Sequence, residues 1–372
     1  MPVRVLSPEE VARALAVRDL TDPREGSHAI QRLVDDIVTA LGRAWRCDVL
    51  VHRGPRIVEV AENYDALGYE PHVVTRDSRY TRYVSGAEML RSHTSAMVPA
   101  ALRSIGGGAS DVIVACPGVV YRRDAIDRLH TGTPHQLDLW RVTRDRPLAA
   151  GDLKEMIELV LRAALPGAEW RTEPRVHPYT DDGLQIDVEN GDEWIEIGEC
   201  GLAGAHVLRG AGLAAPWTGL AMGLGLDRLL MLRKGIADIR LLRGTDARVA
   251  AQMRDLSLYR PVSSRPAVVR DLSIAVAEDD DVELLGDRVR DALEGEVDCI
   301  EAVEVLSQTP GAELPPVARQ RLGLRPGQKN VLLRVVLRHV DRTLTRAEAN
   351  ALRDRVFAAV HAGEDVSRDD DA

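Results

Sequence analysis

Val120–Val142, "VYRRDAIDRLHTGTPHQLDLWRV", is the stretch on which the reading of this chain turns. An apolar strand, "SDVIVACPGVV", leads into it and a second strand, "LDLWRV", leads out, with a polar, arginine-bearing loop between them. Two strands joined in this way form an antiparallel hairpin. Arg122, at the end of the first strand, can hold its planar guanidinium fork against two oxygens of a phosphate. On the returning strand the side chains alternate, so Gln136 and Asp138 share one face and His135 takes the other. The same residues also fit an ordinary solvated hairpin, so the neighbouring sequence has to decide.

Before the hairpin, Gly26–Trp45 carries apolar residues at helical spacing (Ile30, Leu33, Val34, Ile37, Leu41), and the strands "DVLVHRG" and "RIVEVAE" follow. After it come a helix, "GDLKEMIELVLRAAL", and two alternating strands, "GLQIDV" and "EWIEIGECG". Gly219–Gly235, "GLAMGLGLDRLLMLRKG", is a glycine-rich strand running into a helix. Its Gly223 and Gly225 are followed by Asp227, Arg228 and Leu229, so the third glycine of a dinucleotide fingerprint is missing. The reading is an α+β domain with a mostly antiparallel sheet flanked by helices. Beyond Leu258 a Pro- and Ser-rich stretch gives way to strand, helix, strand, strand, helix, the order of a ferredoxin-like α/β sandwich. The expected boundaries are 1–257, 258–365 and a disordered acidic tail, 366–372.

The 372 residues are 45% apolar, enough for two cores, and no run is long and apolar enough for a membrane span. The N-terminal stretch lacks the charged-then-apolar pattern of a signal peptide, and the expectation is a cytoplasmic protein. Cys47, Cys116, Cys200 and Cys299 are scattered, which fits free thiols better than disulfides or zinc. The net charge of −10 argues against a surface coated for nucleic acid, yet Arg319–Arg355 holds ten Lys/Arg against three Asp/Glu. Arg334, Arg338 and Arg342 in that stretch are candidate phosphate contacts on a strand and its hairpin; a solvated sheet face is the plainer account.

The hairpin resembles motif 2 of the class II aminoacyl-tRNA synthetases, most nearly the phenylalanyl-tRNA synthetase catalytic subunit, and Gly219–Gly235 resembles motif 3. "RDSRYTRYV", "LRSHTSAMVP" and "WIEIGECG" resemble further segments of that family, in the family's order, and the C-terminal unit resembles its ferredoxin-fold anticodon-binding domain. The resemblance implies adenylation of an amino acid by Mg-ATP and transfer to tRNA by a monomer or homodimer, with no membrane partner. It assigns Arg122 and Arg228 as the catalytic arginines on the ATP phosphates. His135, Glu196, Gly223 and Gly225 would join them in binding ATP, with Glu196 near Mg²⁺. His93, Ser95, Gln136 and Asp138 would hold the amino acid's ammonium and carboxylate, and Arg334, Arg338 and Arg342 would meet tRNA.

The side-chain pocket departs from the family. Where phenylalanines are expected, the chain has His177 and Tyr179 in "VHPYT", and Leu220 and Met222 around a retained Ala221. Asp138 stands for a glutamate, and Leu139 for a glycine. Phenylalanine is scarce everywhere, with Phe357 alone in the chain, so compositional drift is one account. The other is a substrate that is aromatic or related but no longer phenylalanine, because lost ring contacts weaken selection and buried polar groups want polar partners. Two rival functions remain at this stage: an amino-acid-adenylating ligase with a non-translational acceptor, and a non-catalytic RNA-binding paralogue.

Overall fold

The computed structural model describes residues 4–364 apart from 79, 106, 263–265, 294, 340 and 341. The expected acidic tail, 366–372, lies outside the described residues. The chain divides into two compact units. The first takes Met1–Arg122, Thr133–Ile236 and Ala251–Tyr259; the second takes Arg123–Gly132, Ala237–Ala250 and Arg260–Ala372.

Among the described residues, nine strands belong to the first unit: β1 (Asp48–Val51), β2 (Ile57–Glu59), β3 (Glu88–Leu90), β4 (Asp111–Val119), β5 (His135–Thr143), β6 (Trp170–Pro174), β7 (Thr180–Asn190), β8 (Glu193–Ala203) and β9 (Thr218–Gly225). Seven of them make one sheet in the order β1-β4-β5-β9-β8-β7-β6, antiparallel throughout except for the parallel β1–β4 pair; β2 and β3 form a separate ribbon. The central strands β4 and β5 are apolar almost throughout and are buried on both faces. The helices Ala29–Trp45, Ala150–Ala164 and Leu226–Lys234 pack against the sheet and, in part, one another. Leu33, Ile37 and Leu41 of the first helix are completely buried, as their helical spacing predicts. The last helix stops where Gly235 takes a left-handed conformation, φ 64°.

Part of the other sheet face is covered by Val98–Arg103 and Ala205–Gly210, which join Val112, Val114, Trp140, Val142 and Ala221 in one apolar cluster. That cover stops at Trp140. Toward Asp138 and Gln136 the face turns polar, and the cleft begins there. Among the described residues, no helix is long and apolar enough to cross a membrane.

The second unit is built on β10 (Val268–Ala277), β11 (Ile300–Pro310) and β12 (Gln328–Leu337), in the order β10-β12-β11. Both pairings are antiparallel, so β10 and β11 run parallel with β12 inserted between them, the split β-α-β arrangement. The helices Val282–Ala292 and Arg346–Val360 bury Leu285, Val289, Leu352 and Val356 against Ile274, Val276, Leu333 and Val335. Thr345 and Glu348 close the start of the second helix as a capping box. The second unit also takes in 123–132, which the boundary read at 257/258 had left with the first. Ile126 lies in the second unit's core, Arg290 donates to the carbonyls of Asp124 and Ala125, and Arg123 pairs with Asp287, both buried.

Candidate active site

Strand register assembles the cleft. Cys116, Asp138, Gly223, Glu199 and Gln185 are paired across five adjacent strands, so they form one row along the sheet. Asp138 and Glu199 in that row face the same side, with only Gly223 between them. Gly118, Gln136 and Gly225 form the next row. A Cβ built on Gly223 would meet nothing nearer than Asp138 Oδ2 at 4.0 Å, and one on Gly225 nothing nearer than the Ile197 carbonyl at 3.7 Å. Protein packing therefore does not demand glycine at either position, and the two leave an open trough between the carboxylates. Gly118 differs: a Cβ there would run into the Arg91 guanidinium.

The segment His93–Ser95 docks onto the Asp138 end of this row. Thr94 Oγ1 and Ser95 Oγ donate to Asp138 Oδ2 at 2.7 and 3.1 Å, Trp140 Nε1 donates to Oδ1 at 3.3 Å, and the Thr94 amide donates to Gln136 Oε1 at 3.3 Å. Burial raises the Asp138 carboxyl above the ordinary value of 3.8, against the pull of those donors and of Arg122. His93 stacks on Tyr69 at 5.8 Å, and its Nε2 lies 3.3 Å from Asn63 Nδ2. Burial, reinforced by the Arg122 charge, drives its pKa down to about 3, so the ring is neutral at physiological pH. Its Nδ1 is buried without a hydrogen-bond partner among the described residues.

Arg122 donates Nε–H to the Ser92 carbonyl at 2.8 Å, and no carboxylate among the described residues lies within ion-pair distance of it. Its charge bears on His93, Asp138, Tyr69 and Glu199, which places it above the trough. At the far side His177 Nε2 lies 2.6 Å from Glu199 Oε2, and Arg175 Nε lies 3.4 Å from Oε1. Burial pushes the Glu199 carboxyl up, but His177, Arg175 and Arg122 together outweigh it and leave it below its ordinary value. Tyr179 stands over this end, its ring 5.6 Å from His177 and 6.3 Å from Trp140.

Glu196 reaches the same side through a bulge. Gln185 and Asp187 share a face of β7, and Asp187 pairs with Glu196 because one extra residue, Ile197, interrupts the β8 register. Arg228 donates to the Glu196 carbonyl at 2.9 Å and so lies at this edge of the cleft. Among the described residues no cluster of three or more His, Cys, Asp or Glu could hold a metal by itself. Glu196 and Glu199 nevertheless supply the one or two carboxylates with which Mg²⁺ is ordinarily held beside substrate phosphates.

Three expectations need correction. His135 is not in the trough. It is completely buried, Nε2 accepts from the Leu20 amide at 3.0 Å, and Nδ1 therefore carries the proton, directed at Asp227 Oδ1 3.0 Å away. Both nitrogens are spent on structure, and ATP has no access to them. Leu220 and Met222 do not flank Ala221 in the pocket, because the pleat turns them to the opposite sheet face, where they are buried. In the second unit, Arg334 Nε donates to Asp271 Oδ1 at 2.9 Å, Arg338 Nε lies 2.6 Å from Glu301, and Arg342 pairs with Glu348 at 2.7 Å. The expected arginine face is a set of exposed ion pairs, each arginine lying against a carboxylate of the same unit.

Sequence reading also passed over residues that build the cleft: Asn63, Tyr69, Thr94, Glu199 and Arg91. The Arg91 guanidinium is buried and donates to the carbonyls of Val119, Gly54 and Pro55, which fixes the entry to His93–Ser95.

A family model, the tRNA synthetase class II core domain (F), matches residues 17–253. The chain belongs to this family. As a synthetase it is a ligase, with the antiparallel sheet flanked by helices that the motifs imply. It is 32% identical over 241 residues to the phenylalanine–tRNA ligase alpha subunit of Prochlorococcus marinus, covering 63% of this chain and 69% of that one. It is 33% identical over 222 residues to the alpha subunit from Teredinibacter turnerae, covering 58% and 65%. The synthetase thus spans about two thirds of the length of these relatives. A solved structure, a pyrrolysyl tRNA synthetase from Desulfitobacterium hafniense, overlaps at a TM-score of 0.43 and 20% identity, over 63% of this chain and 77% of that one.

Proposed function

We propose that the synthetase activates an amino acid with ATP in the cleft of its first unit and transfers the acyl group to tRNA, with specificity shifted away from phenylalanine. The observation that carries this reading is a cation without a carboxylate partner among the described residues, Arg122, above a glycine trough that packing does not require. A polyanion explains both.

ATP supplies an electrophilic α-phosphorus and pyrophosphate as the leaving group. Arg122, pinned through Nε, keeps its remaining N–H groups for the α-phosphate and stabilises the charge that grows there during attack. Arg228 lies along the phosphates, and Glu196 with Glu199 would hold Mg²⁺ through carboxylate oxygens. Asp138, ionised once an ammonium group meets it, anchors the amino acid. Gln136, Ser95 and the neutral His93 orient its carboxylate without adding charge. The synthetase acts in the cytoplasm, as a monomer or homodimer.

One observation favours a second acceptor. The paired state of Arg334, Arg338 and Arg342 leaves less free charge for tRNA, as fits an enzyme that loads a carrier protein or small molecule. Amino-acid-dependent ATP–pyrophosphate exchange tests the first step, and acylation of total tRNA separates the acceptors. Absence of exchange with every amino acid overturns both, and only then does a non-catalytic paralogue stand.

A further inference from the structure

The row next to Asp138, at the closed end of the cleft, is Val114, Trp140, Ala221 and Gly201, paired across four strands. Ala221 is small and leaves room beside it for a large side chain lying on the sheet, whereas the space over Gly201 is filled by Thr180 and the Asp181 carbonyl. Trp140 is the large side chain beside Ala221: it is paired with it across the strands, shares its face, is completely buried, and belongs to the same apolar cluster. Tyr179 then closes over it at 6.3 Å with the rings 29° apart, and Tyr179 also lies 6.3 Å from Tyr69 and 5.6 Å from His177. A benzyl ring held between two others needs a carbon–carbon contact of about 3.5–4.0 Å on each side, hence about 7–8 Å between the flanking rings. None of the three spacings allows it.

The same end of the cleft is short of hydrogen bonds. Thr180 Oγ1 and His177 Nδ1 are buried with no hydrogen-bond partner among the described residues. Thr180 sits over Gly201, since a Cβ there would come within 2.7 Å of the Thr180 Cβ. Buried polar atoms of native proteins are nearly always satisfied, and a bound group can do it.

We infer that the amino acid activated here has a side chain shorter than benzyl that ends in a hydrogen-bonding group, and that Trp140 with Tyr179 excludes phenylalanine. This deepens the reading of the cleft as an amino-acid-activating site and rests on it. Ala221, read alone, leaves space for a ring; in this chain the space is taken by Trp140.

The test is ATP–pyrophosphate exchange by the full chain with alanine, serine, threonine, asparagine, glutamine, leucine, phenylalanine and tyrosine. A short polar amino acid should exceed phenylalanine in kcat/KM by about 10-fold or more. Tyr179→Ala should then raise kcat/KM for phenylalanine relative to the short substrate by a similar factor. Trp140→Leu should do the same, and Tyr179→Ala, at a less buried position, decides the matter if the Trp140 variant fails to fold. The ratio between two substrates of one variant is unmoved by a loss of folded protein. Phenylalanine as the best wild-type substrate overturns the inference and leaves the activating cleft intact, as does a ratio that stays within about twofold in Tyr179→Ala. Silence with every amino acid overturns the activating cleft itself, and this inference with it.

Discussion

In the cleft of the first unit, Arg122 is held by a backbone carbonyl and has no carboxylate partner among the described residues. In the second unit, Arg334, Arg338 and Arg342 each lie against a carboxylate of their own. Both sets look alike as residue types. A carbonyl partner fixes the guanidinium's direction while leaving its full charge for a ligand, whereas a carboxylate partner cancels the charge locally. Availability of charge, and not its count, separates a site that binds a polyanion from a surface that is merely solvated.

Removing the unpaired arginine should break this contrast most visibly. Arg122→Ala should lower ATP–pyrophosphate exchange by about 10²–10³-fold, the usual loss when one donor to developing negative charge is removed. Replacing Arg334, Arg338 and Arg342 together by alanine should leave exchange within about twofold, because exposed pairs contribute little. If the triple variant lost as much exchange as Arg122→Ala, the distinction between the two sets would collapse.

The next largest effect belongs to His135, whose two nitrogens tie the Leu20 amide to Asp227. His135→Ala leaves buried groups on both sides unsatisfied and should cost about 1–3 kcal/mol per orphaned group in thermal or urea unfolding. The KM for ATP of the folded fraction should not move. A raised KM with unchanged unfolding would return His135 to the ATP site.

How far such assignments can be read from sequence depends on the distance over which the deciding contact acts. Period-two alternation is local, so "HQLDLW" already places Gln136, Asp138 and Trp140 on one face, and "GLAMG" places Leu220 and Met222 opposite Ala221. Motif likeness alone had grouped these three, and the pleat separates them. Helix spans were equally legible: Ala29–Trp45 and Ala150–Ala164 fall within a few residues of the apolar periodicity. His135 is different, because its partners Leu20 and Asp227 are far away in sequence. So is Arg334, whose pairing with Asp271 needs the β10–β12 register. Glu199 stood in the quoted "WIEIGECG" beside Glu196, but only the bulge at Ile197 shows that both reach the cleft.

Asp138 offers a smaller test, through pH. Burial raises its carboxyl in the folded state, so the folded protein holds this proton more tightly than the unfolded chain does. Stability from this group is therefore greatest below the ordinary value of 3.8 and is lost as pH rises through the raised native value. Asp138→Asn removes that penalty. Its melting temperature should exceed wild type at pH 7–8, with the difference vanishing toward pH 4, while amino-acid-dependent exchange is lost. A variant less stable than wild type at pH 8 would mean that the donors from Thr94, Ser95 and Trp140 outweigh burial.

The smallest effect sharpens the comparison from the other side, by freeing an arginine without adding one. Asp271→Asn leaves Arg334 in place on β12 and takes away the carboxylate that accepts from its Nε and Nη2, both at 2.9 Å. If the pairing is what keeps this arginine from RNA, the variant should bind total tRNA more tightly at low salt. The slope of log affinity against log salt should steepen by about 0.7–0.9, the value for one added phosphate contact. Exchange should stay at the wild-type rate, since Asp271 lies in the other unit from Arg122. Glu304 bears on how large the gain is, because it pairs with Arg334 from β11 and keeps an acidic neighbour beside the freed guanidinium. Asp271→Asn with Glu304→Gln should therefore bind tRNA more tightly than Asp271→Asn alone. Equal slopes in wild type and both variants would show that this sheet face does not meet tRNA in either state, and would leave the non-translational acceptor as the better reading.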